Sequence, residues 1–310
     1  MISRSTLIGA LVVVELAIVG LAARAVGAGA GPPSFPAPAR NVAWNGASSA
    51  LLDRTLPTGP TPVVVVDVHD VDVSIEAAAG LSVRAYDTTQ HWGFVSGGSL
   101  PAITLERTAD GVRVSAPKNA GTVRFVFGGW GRTLHLIVPP TAQVRVVSGG
   151  AIEASGLRAP FVAHVADDSI SVSDQRGDVD VSTNDGRIEL TDVQGGRIEA
   201  STNDGRLVLA QIVADQLDAS TDDGRIQAHD IRAVDGTVST KDGRVTMGFA
   251  DGSDAVVTLH TADGKITVDG VARTDGDGDH AQTVQLGSGR GHFAVSTGDG
   301  SITVTQGATG

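Results

Sequence analysis

Residues 179–209 read VDVSTNDGRIELTDVQGGRIEASTNDGRLVL, two passes of one pattern in which Gly186 and Gly205 stand 19 residues apart. The same Ser/His-Thr-x-Asp-Gly turn recurs at Gly224, Gly243, Gly264 and Gly300, six copies in all, with steps of 19, 19, 21 and 36 residues after Gly205. A period near 20 residues marks a stack, because one such unit cannot bury its own apolar face and is stabilised only by its neighbours. Two residues after each glycine stand Ile188, Leu207, Ile226, Val245, Ile266 and Ile302, and four after it Leu190, Leu209, Ala228, Met247, Val268 and Val304. Five before it are Val181, Ala200, Ala219, Val238, Leu259 and Val295, with a threonine file (Thr183 to Thr297) three before. This alternation by two is that of a β-strand. Each unit therefore reads as strand, Asp-Gly turn, strand and return loop. The turn glycine is expected to supply a positive φ. A column seven after the glycine, Val193, Ile212, Ile231, Ala250 and Val271, is expected to join the core.

Working upstream, the pattern weakens but persists: Gly150 precedes Ile152 and Ala154, and Asp168 precedes Ile170 and Val172. Earlier runs such as VVVVDVHDVDVSIEA are alternating or continuous β-type segments broken by Gly, Pro and Asp. Residues 61–145 are read as irregular first coils and a cap, and 146–307 as the regular repeats; a separate β-sandwich over 61–145 is the alternative. The predicted class is all-β: a parallel β-helix, or β-solenoid, with coils of about 19 residues. An N-terminal membrane helix is expected to precede it.

That last expectation rests on residues 6–23, TLIGALVVVELAIVGLAA, apolar but for Glu15 and preceded by Arg4. Such a run approaches the ~20 residues that span a hydrocarbon core. Residues 1–26 are read as an anchor, with a signal peptide cleaved after the small residues Val26-Gly27-Ala28 as the alternative. Either reading places the rest outside the cytoplasm, and residues 27–60, rich in Ala, Gly, Pro and Ser, form a flexible linker.

Composition narrows the function classes. A net charge of −12 argues against a nucleic-acid partner, which needs a basic surface. The absence of cysteine excludes disulfides, thiolate catalysis and cysteine metal sites. No catalytic motif of the G-x-S-x-G, H-E-x-x-H or P-loop kind occurs. The expectation is of no enzyme, no catalytic residues, no cofactor and no metal; a structural or regulatory envelope module binding a membrane protein partner and a polysaccharide-active β-helix enzyme are the alternatives. One turn aspartate per coil supplies too few oxygens for calcium, which takes six to eight. Asp275, Asp277 and Asp279 begin with an EF-loop spacing, but His280 stands where that loop needs glycine.

The N-terminal apolar segment, the strand LHLIVPP (134–140), then VRVVSGGAIEA (144–154) and STNDGRIEL units (from 182) together resemble the bacterial putative-adhesin family of envelope proteins with β-strand repeats. The resemblance covers roughly residues 60–306. It implies a single-stranded parallel β-helix and an adhesive or interaction role, and it brings no catalytic motif with it.

Two features are candidate binding sites. One is the cationic ladder directly after the turn glycines, Arg187, Arg206, Arg225, Arg244 and Lys265, running beside Asp185, Asp204, Asp223, Asp242, Asp263 and Asp299. The bland reading has the two files neutralise each other; the functional one is a polar comb for a glycan or an envelope protein. The other is a pair of aromatic segments, HWGF (91–94, with Trp92 and Phe94) and RFVFGGWG (124–131, with Phe127 and Trp130), expected to cap the solenoid or to bind a partner. Membrane contact is assigned to residues 6–26, and the localisation expected is the cell envelope.

Overall fold

The computed structural model describes residues 52–97, 102–116, 124–274 and 278–307, the side chains of 91–97 and 124–130 excepted. Trp44–Gly310 form one compact unit. The expected anchor at 1–26 and most of the linker lie outside the described residues. Among the described residues no helix is long and apolar enough to cross a membrane, and all regular structure is β.

The chain begins with β1 (Asp53–Pro57), β2 (Val63–Val68), β3 (Asp72–Ala77), β4 (Ser82–Gly97), β5 (Thr104–Arg107), β6 (Gly111–Ser115) and β7 (Arg124–Val138). Shorter rungs follow: β8 (Gln143–Ser148), β9 (Ile152–Ser155), β10 (Phe161–Val165), β11 (Ile170–Arg176) and β12 (Val179–Thr183). Three long bent strands carry the regular repeats, β13 (Arg187–Thr202), β14 (Arg206–Thr221) and β15 (Arg225–Asp242). The last elements are β16 (Arg244–Phe249), β17 (Ala255–Asp263), β18 (Ile266–Val268), β19 (Val271–Ala272), β20 (His280–Gln285), β21 (Gly291–Asp299) and β22 (Ile302–Thr305).

The repeat period is the hydrogen-bond register. Ile188 on β13 lies beside Leu207 on β14, which lies beside Ile226 on β15, all parallel. Strands before the turns form one sheet, in the order β6, β2, β8, β10, β12, then the later halves of β13, β14 and β15, then β21 and β17. Strands after the turns form the other, β7, β3, β9, β11, the early halves of β13, β14 and β15, then β16, β22 and β18. The aliphatic files of both sheets are buried between them; Ile188, Leu207, Ile226, Val245 and Ile302 have no exposed surface.

Spatial order departs from sequence order at both ends. The rung of Gly300 (β21, β22) lies between the rungs of Gly243 and Gly264, where a stack in chain order would put Gly264 next to Gly243. Likewise β2 and β3 lie between β6 and β7 on one side and β8 and β9 on the other. Antiparallel strands then cover both ends: β20 on β17, β19 on β18, β5 on β6, and β4 with β1 beyond β7. These strands take up the backbone groups that terminal parallel rungs would leave open.

The seventh-position column needs correction at two of its members. Val193, Ile212 and Ile231 are fully buried, but a register shift along β15 and β16 sets Phe249, not Ala250, opposite Ile231. Phe249 is buried and meets Phe293 edge-on, with centroids 5.4 Å apart. Val271 is 54% exposed, because β19 has left the stack to pair antiparallel with β18.

The turn glycines also differ from expectation. Gly186, Gly205, Gly224, Gly243 and Gly300 do not adopt positive φ, and Gly264 alone of the six does, at 157°. They are required by close stacking: a Cβ on Gly205 would lie 1.8 Å from the Gly186 carbonyl oxygen and 2.5 Å from Thr202 Oγ1. The threonine file closes the same turns from inside. Thr202 Oγ1 donates to the Asn184 carbonyl at 3.0 Å, Thr221 to Asn203 at 2.9 Å and Thr240 to Asp222 at 3.0 Å. Left-handed backbone occurs instead at the corners, at Asp174, Asp192, Gln211 and Asp230, with φ of 48° to 57°. Arg158 and Arg176 each donate to the carbonyl and the carboxylate of such a corner, Asp174 and Asp192.

Two ionic fastenings hold the ends. Asp87 and Arg132 form a fully buried ion pair at 2.6 Å, and Asp87 also accepts the Leu52 N–H, which ties the incoming chain to β4 and β7. At the other end Asp254 accepts hydrogen bonds from Ser288 Oγ, the Arg290 N–H and Arg290 Nε, steering the loop that enters β21. The Arg290 guanidinium is the main reason that the Asp254 carboxyl is held far below the usual carboxylate range.

Two outcomes follow. Gly205→Ala should lower stability to urea by about 1–3 kcal/mol or prevent folding, while Gly59→Ala, with no atom within 4 Å of the added Cβ, should stay within about 0.5 kcal/mol of the parent. Asp254 holds its proton less tightly folded than unfolded, so its stabilisation is complete above the unfolded carboxylate pKa of about 4 and fades as the pH falls below it. Thermal denaturation across pH 2–6 should show a shallower acid decline for Asp254→Asn than for the parent.

Candidate functional site

Parallel register at the turns gathers like side chains into files about 4.8 Å apart. Arg187, Arg206, Arg225 and Arg244 are successive register partners on the sheet that follows the turns. Out-of-order stacking changes what comes next: Ser301 follows Arg244, with Arg244 Nε donating to Ser301 Oγ at 3.1 Å. Lys265 lies one rung beyond Ser301, as the pairing of Ile266 with Ile302 fixes. The ladder is thus four arginines, a hydroxyl and a lysine, with the five cationic positions exposed and Ser301 half-buried.

Beside it the turn carboxylates are exposed as well, and Asp242, Asp299 and Asp263 are direct register partners. The two files do not neutralise each other by contact. Among the described residues Arg187 alone of the ladder forms an ion pair, and it does so with Glu189 on its own strand at 2.8 Å. The edge's other ion pair among the described residues is Lys241 with Asp222, at 2.6 Å on adjacent turns. Its hydrogen bond to Asp222 raises the Lys241 pKa. Arg206, Arg225, Arg244 and Lys265 therefore keep guanidinium or ammonium donors for an external acceptor.

The aromatic segments meet through their backbones. In the antiparallel pairing of β4 and β7, His91 lies opposite Trp130, Trp92 opposite Gly129 and Phe94 opposite Phe127. Two segments 30 residues apart in the chain thus form one ribbon at the β1 end of the molecule; the side chains of 91–97 and 124–130 lie outside the described set. Asp275 and Asp277 lie outside it too, while Asp279 pairs with His260 Nε2 at 2.8 Å. Among the described residues no group of three or more His, Asp or Glu side chains is arranged to hold a metal ion.

Sequence columns did not reveal a third feature, on the outward side of the sheet that precedes the turns. There Asp180, Glu199 and Asp218 are successive register partners. Arg197 bridges two of them, at 3.0 Å from Glu199 and 3.3 Å from Asp218. Towards the β6 end of the same sheet a shallow groove of about 410 Å³ is lined by Val65, Val147, Val162, Arg113, Arg145 and His164 among others. The signal was present as alternate residues, but the order of rungs was needed to align them.

The sequence pattern described as Toastrack DUF4097 matches residues 64–305. The chain belongs to that family. This agrees with the resemblance seen in its repeats. Solved structures with a similar arrangement include one described as a putative adhesin from Parabacteroides distasonis ATCC 8503, 12% identical over 84% of this chain and 98% of that one, TM-score 0.47. Two more are similarly described. One, from Bacteroides fragilis NCTC 9343, is 10% identical over 84% and 98% of the two chains with a TM-score of 0.42. The other, from Parabacteroides merdae ATCC 43184, is 13% identical over 84% and 97% with a TM-score of 0.41. A comparison with curated proteins finds no match.

Because the ladder side chains lie outside the core, replacing Arg206, Arg225 and Arg244 together by alanine should leave the urea midpoint within about 0.5 kcal/mol of the parent. A larger loss would mean that the file serves folding.

Proposed function

We propose that this Toastrack protein is a non-catalytic, adhesin-like interaction module that engages an extended polymer of the cell envelope along its turn edge. The observation that supports this reading is the file Arg206, Arg225 and Arg244, exposed, one rung apart and without ion pairs among the described residues. A carboxylate file beside it would repel a dense polyanion such as a nucleic acid. A glycan with sparse acidic groups suits it better, offering hydroxyl donors to the aspartates and acceptors to the arginines. Each contact is weak in water, and affinity comes from the number of rungs engaged at once.

In this reading the module works outside the cytoplasm, held at the membrane by residues 6–26 or released after their cleavage. Family membership supports a non-enzymatic role, as does the way acidic residues follow the repeat rather than converging on a cleft.

Binding of the full chain to an array of acidic and neutral glycans tests the proposal. The parent should retain acidic glycans, and Arg206→Ala/Arg225→Ala/Arg244→Ala should weaken retention by about ten-fold or more. Unchanged retention by the triple variant would move the glycan contact off the ladder, and no retention by the parent would favour a protein partner instead. Turnover of a polysaccharide would refute the non-catalytic reading.

A further inference from the structure

The outward face of the sheet that precedes the turns is charged in opposite senses along its length. One file on that face runs, rung by rung, Arg113, Val65, Arg145, Val162, Asp180, Glu199 and Asp218. Arg145, Arg113 and Asp180 are exposed and make no ion pair among the described residues. Valines 65 and 162 are half-buried on the floor of the groove between the arginines, and Val147 beside them is 50% exposed. Basic and aliphatic at one end, acidic at the other, the file reads as its own complement in reverse.

We propose that two copies of this chain pair face to face through this sheet, with solenoid axes antiparallel and the two-fold axis passing through Val162. Such an axis, lying along the strand direction, sends each rung to its mirror about Val162 and keeps each file on itself. Arg145 then faces the partner copy's residue at position 180, and Arg113 the one at position 218, each contact occurring twice. Val162 meets its own copy and Val65 covers the aliphatic stem of Glu199. In the neighbouring files Asp67 meets Ser201, Val63 meets Arg197 and His164 meets itself, so no two acidic residues oppose.

Register is fixed by repulsion as much as by attraction. Moving the axis one rung towards β6 sets Arg145 against itself, and one rung the other way sets Asp180 against itself. Arg145 with Asp180 is the stronger contact, because Arg113 already has Glu106 as its cross-strand neighbour and Asp218 already has Arg197. Seven rungs span about 29 Å and a strand of five residues about 17 Å. Each copy therefore contributes roughly 500 Å², and a total near 1,000 Å² belongs to weak, transient interfaces. The pairing does not depend on what the turn edge binds.

The chain has no cysteine, so single substitutions report the geometry directly. Sheets packed face to face lie ~10 Å apart, beyond the ~7 Å between Cα atoms that a direct disulfide tolerates. A short bismaleimide linker is therefore the probe, applied to the full chain in detergent at pH 8, where imidazoles are neutral. Val162→Cys, on the axis, should cross-link into a dimer. Thr246→Cys, on the outward face of the other sheet, should not. Adding Arg145→Asp to Val162→Cys should lower the yield by about ten-fold or more, and adding Asp180→Arg to that pair should restore it. Equal cross-linking at 162 and 246, or failure of the charge exchange to restore the dimer, overturns the proposal, and neither result would bear on glycan retention by the turn edge.

Discussion

A rung of this solenoid cannot satisfy its own backbone. The N–H and C=O groups of each strand point along the stack, so every rung needs a neighbour on both sides in the same register. Three further features are consequences of that one constraint. Turn glycines recur because rungs ~4.8 Å apart bring each turn carbonyl to where a Cβ would be; the Cβ of Gly224, for one, would lie 2.0 Å from the Gly205 oxygen. Threonines recur because a hydroxyl just inside the turn can reach the carbonyl of the rung below. Side chains of one kind fall into files because register repeats whatever stands at each position.

The same constraint governs the ends, where no further rung exists. A stack in plain sequence order would terminate in two open parallel edges, which are templates for association. Here the chain folds back at both ends, inserts β21 and β22 inside the stack, and lays antiparallel strands over the rungs that remain outermost. The inserted rung is gripped from both sides: Gly236 lies beside Phe293, and Gly291 beside Ala255. Asp254 and Arg290 fasten the loop that leads into it. The C-terminal segment is thereby among the best-paired parts of the molecule.

What the sequence disclosed, and what it hid, follows from the same physics. Ile188, Leu207 and Ile226 were legible as a column because identical spacing forces identical register. The order of the last rungs was not, since Ile266 and Ile302 fit the rung of Val245 equally well by pattern, and it is Ile302 that takes the place. Phe249 was missed because β16 reaches the corner one residue early, a shift that no column count shows. Glycine at the turns was foreseen, but for its φ rather than for the carbonyl beneath it. The left-handed corners at Asp192 and Asp230 stand six residues after each turn glycine, with Gln211 between them, and that glutamine hides the file from inspection. The first rungs were harder still, because the β4–β7 ribbon and β5 interrupt the period between β3 and β8. As for sites, the ladder was visible in full, yet its break at Ser301 and its freedom from the aspartates follow from the order of the rungs and not from the columns.

The two charged surfaces of the protein are separated by its geometry, and this bears on how they act together. The turn edge carries the arginine and aspartate files, while the face that precedes the turns carries the graded file from Arg113 to Asp218. Pairing through that face leaves both turn edges uncovered, because turn side chains project from the rim of the rungs and not from the paired sheet. With antiparallel axes, two arginine files would run in opposite directions on one dimer. A long polymer held on one file would then meet the second at the millimolar effective concentration of a short tether, so a contact too weak to last on one copy would persist on two. If both proposals hold, a weak dimer and a weak ladder together would suffice for firm attachment to a repeating ligand, while either alone would release a short one.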